Sequence, residues 1–238
     1  MRRNMRRNMQ PKLKRILRSK LKRSMRRSMR NDLQHSLRLY LCTDRSLLAG
    51  RSLLKSVEEA IEGGVTIIQL REKDISSREF YDTAIELLNL TSRFDIPLII
   101  NDRLDIALAT GAAGVHLGQE DLPLRPARLL AGNDLIIGVS AHNPAEAIRA
   151  EQEGAEYIGA GAVFQTGTKA GAGVIGPEGL AEIVKSVKIP VVGIGGINRD
   201  NISLVNATGA AGAAVISAIL SGNDIRKAAE ELITKFKR

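Results

Sequence analysis

The chain has 238 residues, 44% apolar and only 3% aromatic, enough to bury one core built from Ile, Val, Leu and Ala. Its single cysteine, Cys42, excludes an intramolecular disulfide and a multi-cysteine zinc site, and no apolar stretch approaches the ~20 residues of a membrane span. A soluble protein of the reducing cytoplasm is expected. The formal charge is +9, but residues 1–30 hold 14 Lys or Arg and no acid, leaving 21 basic against 26 acidic residues elsewhere. Contacts with nucleic acid or an anionic surface are therefore expected only of that first segment.

Residues 1–36 form a basic extension with a degenerate tetrapeptide repeat. Met or Leu occupies every fourth position, at Met1, Met5, Met9, Leu13, Leu17, Leu21, Met25, Met29 and Leu33. Because a helical residue turns by about 100°, this period drifts around a helix and forms no lasting apolar face. We expect the segment to be disordered or loosely helical. It could be a dispensable expansion, a basic helix that binds RNA or anionic lipid, or an Arg-rich targeting peptide. Removal of residues 1–34 is expected to leave catalysis intact.

From Leu37 onward, short runs rich in Val, Ile and Leu alternate with segments of helical periodicity, which is typical of a parallel sheet with crossover helices. We predict eight strands, at Leu37–Thr43, Val65–Arg71, Ile96–Asn101, Gly114–Gly118, Leu135–Ser140, Tyr157–Val163, Ile189–Gly193 and Ala213–Ser217. Their number and spacing favour an α/β fold, a closed (β/α)8 TIM barrel in a single domain over residues 37–238, above an open doubly wound sheet. In such a barrel, chemistry lies at the C-terminal ends of the strands.

Cations follow the second predicted strand. In the segment Gln69-Leu-Arg-Glu-Lys73, strand alternation sends Gln69, Arg71 and Lys73 to one side and Leu70 and Glu72 to the other. An unpaired buried charge is costly, so clustered cations at the end of a barrel strand indicate that an anion meets them. A salt-bridge network with neighbouring acids is the alternative.

Acidic residues follow the third and fourth strands, in Asn101-Asp-Arg103 and Gln119-Glu-Asp121. Asp102 and Asp121 would face the same mouth of the barrel as the cations. Mg²⁺ is usually held by one or two carboxylates plus phosphate and water, so this pair suits a Mg²⁺ ion shared with a diphosphate. Helix capping by either aspartate is the alternative.

The fifth strand ends in Gly138-Val-Ser-Ala-His142, which offers the Ser140 hydroxyl and the His142 imidazole. No G-x-S-x-G motif surrounds the serine, so a hydrolase nucleophile is not indicated. His142 is equally consistent with helix capping or simple exposure. His116, within an apolar strand, is expected to be a packed strand residue.

Two further segments suit phosphate. The loop Gln165-Thr-Gly-Thr-Lys-Ala-Gly-Ala-Gly173 carries two hydroxyls and an ammonium, which favours a phosphate-binding lid over a plain linker. The seventh strand ends in Gly193-Ile-Gly-Gly-Ile197, where glycines let a phosphate approach backbone N–H groups, and the eighth ends in Val215-Ile-Ser217. Loops after strands seven and eight form the recurring phosphate site of TIM barrels. A tight turn without a ligand is the alternative.

Taken in order, these segments resemble thiamine phosphate synthases. The resemblance extends from Leu37 to Lys237 and rests on Gln69-Leu-Arg-Glu-Lys73, Asn101-Asp102, Gly118-Gln-Glu-Asp121, Gly138-Val-Ser-Ala-His142, Thr166-Gly-Thr-Lys169, Gly193-Ile-Gly-Gly-Ile197 and Val215-Ile-Ser217. It implies a transferase of alkyl or aryl groups other than methyl, with Mg²⁺ as its cofactor. The expected reaction joins 4-amino-2-methyl-5-(diphosphomethyl)pyrimidine to 4-methyl-5-(2-phosphoethyl)thiazole, giving thiamine phosphate and diphosphate. Its partners would be small phosphorylated molecules, with a homo-oligomer left open.

The resemblance also implies a role for each matched residue. The pyrimidine diphosphate would be held by Gln69, Leu70, Arg71, Glu72, Lys73, Asn101, Ser140 and Lys169. The thiazole phosphate would be held by Thr166, Gly167, Thr168, Gly196, Ile216 and Ser217. Mg²⁺ would be bound by Asp102 and Asp121, and the catalytic residues would be Arg71, Lys73, Ser140 and Lys169. The diphosphate is expected to leave before the thiazole nitrogen attacks, so no protein nucleophile is required.

Two other functions stay open on the same fold. A thiazole tautomerase or a related regulator would keep the phosphate site and depend on His142 for proton transfer, but it needs no diphosphate clamp. An enzyme of phosphorylated sugars or indoles would use strands seven and eight for phosphate, but it needs no cationic segment beside two acids.

Overall fold

Eight parallel strands close into a barrel in the computed structural model, which describes residues 32–167 and 173–236. The strands are β1 Leu39–Cys42, β2 Ile67–Leu70, β3 Leu98–Asn101, β4 Gly114–Leu117, β5 Ile136–Ala141, β6 Tyr157–Gly161, β7 Val191–Ile194 and β8 Gly212–Val215. Each pairs with the next along the chain, and β8 pairs with β1. The predicted TIM barrel is confirmed, and each predicted strand end lies within two residues of the observed one.

Helices surround the barrel, and all of them except the first come after a strand. They are α1 Leu33–Ser36, α2 Leu53–Glu62, α3 Ser77–Thr91, α4 Leu104–Thr110, α5 Leu124–Ala131, α6 Pro144–Glu153, α7 Gly176–Ser186, α8 Ile202–Ala207, α9 Ser217–Leu220 and α10 Ile225–Lys235, with a 3₁₀ turn at Arg45–Leu48. Local sequence sets their ends. Ser76 begins α3 in a capping box with Glu79, and the Asn143 side chain caps α6. Gly111 ends α4 in the left-handed conformation that glycine adopts without steric cost.

Alternate strand positions fill two separate cores. The outer core lies between the strands and the helices and contains outward residues such as Leu41 and Ile68. The inner core fills the barrel and includes Ile99. Leu37, just before β1, belongs to this inner core, and Leu33 of α1 packs against it. These side chains close the barrel where its strands begin, so a ligand would enter from the C-terminal mouth.

The predicted extension falls mostly outside the described residues. Its described part, from Asp32 to Ser36, contains the short helix α1, whose Leu33 packs on the inner core. A truncation that spares this packing therefore ends before residue 32 rather than at residue 34. No helix in the described part of the chain is long and apolar enough to cross a membrane.

Candidate active site

A cavity of about 450 Å³ opens at the C-terminal ends of the strands. Most residues singled out from the sequence line it, namely Gln69, Arg71, Lys73, Asn101, Asp102, Asp121, Ser140, Thr166, Gly196, Ile216 and Ser217. They come from the ends of β2 to β8 or from the loops that follow. Residues distant in sequence therefore meet at one mouth, as the barrel fold requires.

Strand alternation divides the segment after β2 as predicted. Leu70 is fully buried in the outer core, on the far side of the sheet from the cavity. The Glu72 side chain also turns away and binds a residue of the 3₁₀ turn, with Arg45 Nε 2.5 Å from Glu72 Oε1. Neither side chain lines the cavity, so a contribution of these two residues to substrate binding would have to come from their backbone.

Among the described residues, the two cations that line the cavity are only loosely paired. Arg71 Nη1 lies 3.5 Å from Asp44 Oδ2, and Lys73 Nζ lies 4.0 Å from Asp102 Oδ2. The Lys73 side chain is 55% exposed, and contacts of this kind contribute little stability. The salt-bridge alternative thus accounts for only part of the cluster. Both cations keep donors that an anionic ligand could engage.

Asp102 and Asp121 meet beside these cations. Burial, a side-chain hydrogen bond with Asp121 and the charge of Asp121 together raise the pKa of Asp102 to about 6, against the opposing charges of the nearby cations. Asp121 Oδ2 accepts a 2.6 Å hydrogen bond from the Gly118 N–H, which fixes its carboxylate. Two carboxylates in contact repel each other when both are ionised, so the pair favours a shared proton or a shared cation.

This pair of oxygen donors fits Mg²⁺, which is commonly held by one or two carboxylates together with phosphate oxygens and water. Among residues 32–167 and 173–236, no group of three or more His, Cys, Asp or Glu is arranged to hold a metal ion. A metal at Asp102 and Asp121 would therefore depend on oxygen atoms from the substrate.

Neither aspartate caps a helix, which was the alternative considered from the sequence. Arg103 and Pro123 occupy the N-cap positions of α4 and α5 and make no side-chain cap. Asp102 has a left-handed backbone, with φ of 61°, and its N–H donates to the His116 carbonyl at 2.8 Å. This conformation costs a non-glycine residue on the order of 1 kcal/mol, and such residues cluster at functional sites.

The opposite side of the cavity is built from backbone. After β7, Gly195 and Gly196 have φ of 99° and 66°, which favours glycine. A Cβ atom on Gly196 would lie 2.4 Å from the Gln165 carbonyl oxygen, so a larger residue would displace the loop after β6. The Asn201 side chain donates to the Gly196 carbonyl at 2.9 Å and holds this turn in place.

The loops after β6 and β8 complete that side. Ile216 and Ser217 line the cavity at the start of α9. Thr166 lines it from the loop after β6, whereas Gly167 is exposed and does not. The remaining predicted residues of this loop, Thr168 and Lys169, lie outside the described residues.

A chain of hydrogen-bonded side chains, here named the floor chain, crosses the bottom of the cavity. Gln69 Nε2 donates to the Tyr40 hydroxyl at 2.9 Å, and the Tyr40 and Tyr157 hydroxyls are 2.9 Å apart. His116 Nδ1 lies 3.0 Å from the Tyr157 hydroxyl, and His116 Nε2 lies 3.1 Å from Ser140 Oγ. Burial raises the pKa of both tyrosines, so each hydroxyl keeps its proton.

Three members of the floor chain are not predicted from the sequence as site residues. The sequence predicts a packed strand residue at His116, and no motif singles out either tyrosine. Their signal in the sequence is glycine at the facing positions. A Cβ on Gly138, the register partner of Tyr157, would lie 2.0 Å from the Tyr157 ring. A Cβ on Gly159 would lie 2.9 Å from His116 Cε1.

His142 and Cys42 line the cavity without the features of a nucleophile or an unengaged base. His142 Nδ1 lies 3.0 Å from Glu146 Oε2, and the same oxygen accepts from the His142 backbone N–H at 2.8 Å. This ties the imidazole to the start of α6. Burial raises the pKa of the Cys42 thiol to about 12, so it stays protonated at neutral pH.

This fold and this cavity have counterparts among known proteins. The family model described as thiamine monophosphate synthase matches residues 39–219. A thiamine-phosphate synthase of Clostridium acetobutylicum is 54% identical over 201 residues, which cover 84% of this chain and 95% of the relative. Another, from Clostridium novyi, is 54% identical over 196 residues, covering 82% and 96% of the two chains.

Solved structures agree with these relatives. Thiamine phosphate pyrophosphorylase from Pyrococcus furiosus is 49% identical and superposes with a TM-score of 0.80, covering 86% of this chain and 98% of that one. A 3-hexulose-6-phosphate synthase superposes with a TM-score of 0.66 at 19% identity, which indicates a common fold alone.

Proposed function

The chain belongs to the thiamine monophosphate synthase family, and on that premise we propose which of its residues carry out the reaction. The chain is a transferase of thiamine biosynthesis that joins a pyrimidine diphosphate to a thiazole phosphate and releases diphosphate. One observation carries the assignment of residues. Among the described residues, Arg71 and Lys73 share one side of the cavity with the contacting carboxylates Asp102 and Asp121, and a glycine turn forms the other side. The first side suits the leaving diphosphate, and the second suits a phosphate that is retained.

The β2 side of the cavity holds the pyrimidine diphosphate. Arg71 and Lys73 bind the diphosphate, and Lys169 adds a third cation. Gln69 and Asn101, which are only 5% and 9% exposed, lie deeper and hold the pyrimidine ring. Ser140 completes the ring pocket from β5. The residues assigned to this substrate are Gln69, Leu70, Arg71, Glu72, Lys73, Asn101, Ser140 and Lys169, with Leu70 and Glu72 contributing backbone alone.

Asp102 and Asp121 would hold Mg²⁺ beside the diphosphate. Burial and then the neighbouring Asp121 raise the pKa of Asp102, and a bound cation would offset both effects, which supports this assignment. With a pKa of about 6, Asp102 is mostly ionised at neutral pH and can act as a ligand. When bound, Mg²⁺ neutralises charge on the diphosphate. The backbone of Asp102 and the Gly118 hydrogen bond to Asp121 keep the two carboxylates in place.

The thiazole phosphate is held by main chain and hydroxyl groups. Gly196 presents its backbone on one side, and Ile216 and Ser217 do so on the other, at the two loops that bind phosphate in many TIM barrels. The loop after β6 adds Thr166, Gly167 and Thr168. No cation of the described residues lines this side of the cavity, so the phosphate meets neutral donors there.

The residues support a substitution in which the leaving group departs first. When the C–O bond to the diphosphate breaks, negative charge grows on that oxygen, and Arg71, Lys73 and Lys169 neutralise it. The thiazole nitrogen then forms a C–N bond with the methylene carbon that the diphosphate has left. The chain has only to bind and orient the two substrates, which agrees with the protonated Cys42 and the paired His142.

The enzyme acts on small phosphorylated molecules. We place the reaction in the cytoplasm, with the chain able to form a homo-oligomer. Contacts with nucleic acid or an anionic surface, if the chain makes them, are assigned to the basic segment before residue 32.

Diphosphate release tests the assignment. With both heterocycles and Mg²⁺, the protein should release one diphosphate per thiamine phosphate formed, and none when either heterocycle is omitted. Arg71→Ala should lower kcat by about 10²- to 10³-fold, the loss expected for one donor that stabilises developing charge. Arg78→Ala, an exposed arginine on α3 outside the cavity, is the matched control and should leave kcat unchanged. Normal turnover by the Arg71 variant would remove this residue from the site.

A further inference from the structure

The hydrogen bonds of the floor chain have a direction. A neutral tyrosine has one O–H to donate. Gln69 Nε2 donates to the Tyr40 oxygen, so the Tyr40 hydrogen is used toward Tyr157. Tyr157, having accepted from Tyr40, donates in turn to His116 Nδ1. The direction of the first bond thus determines the next two.

The same direction determines the tautomer of His116. An Nδ1 atom that accepts leaves the ring proton on Nε2, which then donates to Ser140 Oγ. Ser140, having accepted, keeps its own O–H for a ligand in the cavity that it lines. At the other end of the floor chain, Gln69 donates an amide N–H to Tyr40 and keeps its carbonyl oxygen as an acceptor.

Reversing one bond would reverse them all. If the Gln69 amide were rotated by half a turn, Tyr40 would donate to its oxygen, His116 would carry its proton on Nδ1, and Ser140 would donate to Nε2. The cavity would then meet a donor at Gln69 and an acceptor at Ser140. The two ends are therefore coupled, because each group between them accepts a hydrogen bond from one neighbour in the floor chain and donates one to the other.

We propose that Tyr40, Tyr157 and His116 are positioning residues that fix the hydrogen-bond polarity of the pyrimidine pocket. The proposal rests on the proposed function, in which Gln69 and Ser140 contact the pyrimidine substrate. An acceptor at Gln69 suits an amino group on the pyrimidine ring, and a donor at Ser140 suits an acceptor atom elsewhere on the same substrate. An oxo group in place of the amino group would face the Gln69 oxygen with no hydrogen to donate and would lose this hydrogen bond, so the floor chain favours aminopyrimidines.

Burial gives this selection its strength. Tyr40 is 2% exposed and Tyr157 is fully buried, so water cannot replace a lost link. The space left by Gly138 and Gly159 seats the Tyr157 and His116 rings in one position. A buried group that loses its partner bears a desolvation penalty, and a chain of polarised hydrogen bonds transmits the loss to its ends.

Tyr157→Phe tests the proposal by removing one link at the middle of the floor chain while keeping the ring. The KM for the pyrimidine diphosphate should rise about 10-fold, the effect of about one hydrogen bond, while the KM for the thiazole phosphate stays unchanged. The preference for the aminopyrimidine over its 4-oxo analogue should fall by a similar factor. The chain has three tyrosines, and Tyr81→Phe, on the exposed side of α3, is the matched control. A lower melting temperature with both KM values and the preference unchanged would overturn the proposal.

A second set of variants keeps the test decisive if Tyr157→Phe folds poorly. His116→Gln can offer an amide N–H near the position of Nε2 and should retain more selectivity than His116→Ala. If both histidine variants raise the two KM values equally, the floor chain only supports the barrel and the proposal is wrong.

Ser140→Ala distinguishes a failure of the floor-chain proposal from a failure of the proposed function on which it rests. An unchanged pyrimidine KM in that variant would contradict the assignment of Ser140 to the pyrimidine pocket. A raised pyrimidine KM in Ser140→Ala, together with normal selectivity in Tyr157→Phe and His116→Ala, would refute the floor chain alone.

Discussion

The two sides of the cavity are suited to anions by different physical means. On the side of β2 to β4, charged side chains are partly exposed and loosely paired, as in the 4.0 Å contact of Lys73 with Asp102. On the side of β7 and β8, the glycine turn at Gly196 offers backbone and no charge. Charged groups gain interaction energy as charge grows on a leaving group, whereas a fixed backbone holds a phosphate whose charge does not change. Under the proposed assignment, the charged side therefore holds the phosphate that leaves.

The two sides also relate differently to stability. The carboxylates Asp102 and Asp121 repel each other, so removing one charge should stabilise the folded state. Gly196 lies so close to the Gln165 carbonyl that adding atoms should strain it. The charged side can therefore lose function while it gains stability, and the backbone side should lose both together.

Asp102→Asn should have the largest effect on turnover, and it should impair only the charged side of the cavity. We expect kcat to fall by about 10³-fold with Mg²⁺ supplied, because a metal ion contributes several kcal/mol of charge stabilisation. Asn tolerates the left-handed backbone at φ of 61°, so the variant should fold. Steady-state kinetics and thermal unfolding without metal measure the two effects.

Asp121→Asn should lose turnover in the same way, and Asp82→Asn, exposed on α3, serves as the matched control for both. Near-normal activity in either cavity variant would mean that the altered residue is not a metal ligand.

Lys73→Ala and Gly196→Val should separate the two sides. Lys73→Ala should raise the KM for the pyrimidine diphosphate by about 10- to 100-fold, because one charge-assisted contact is lost in a partly exposed position. Gly196→Val should raise the KM for the thiazole phosphate and lower the melting temperature, since its Cβ would lie 2.4 Å from the Gln165 oxygen. Equal damage to both KM values by both variants would indicate one shared anion pocket.

The charged side was largely predictable from the sequence because it depends on local rules. Strand alternation alone sorted Gln69, Arg71 and Lys73 from Leu70 and Glu72. The closed barrel then required residues after β3 and β4 to meet them at one mouth. The glycine turn after β7 was equally visible, since few other contexts require adjacent glycines at the end of a buried strand.

The floor chain was not predictable in the same way. Alternation shows that His116 and Tyr157 point inward, but not which inward side chains touch across the barrel. That depends on strand register, such as the pairing of Gly138 with Tyr157, and on the space that glycines leave. The left-handed backbone of Asp102 was also invisible, because Asp follows many strands without adopting it.

The pH dependence of stability should distinguish the two sides in the absence of Mg²⁺. The pKa of Asp102 is raised from 3.8 to about 6, so the folded state binds this proton more tightly than the unfolded state. The stability that the proton provides below pH ~4 is lost as pH rises through ~6. The free energy of unfolding of Asp102→Asn should therefore rise relative to that of the unsubstituted protein over this range, by about 1 to 2 kcal/mol after allowing for solvent screening.

Gly196→Ala provides the comparison. Its loss of unfolding free energy arises from steric overlap and should be the same at each pH. Urea unfolding at several pH values measures both differences. A gap between Asp102→Asn and the original protein that does not change between pH 4 and 7 would contradict the raised pKa.

His142→Ala should have the smallest effect on turnover. It tests whether the charged side stabilises a departing diphosphate or only anchors a phosphate. The imidazole lines the cavity but is held by Glu146, and the substitution mechanism gives it no proton to transfer. We expect kcat to fall by about 10-fold or less, well below the ~10²–10⁴-fold loss for a general acid or base. Arg71→Ala, which removes charge stabilisation from the departing diphosphate, should reduce kcat further than His142→Ala does. The order of these two variants in one diphosphate-release assay is the measurement. An inactive His142 variant beside a working Arg71 variant would make proton transfer the chemistry of this cavity, and the charged side would then be an anchor like the glycine turn.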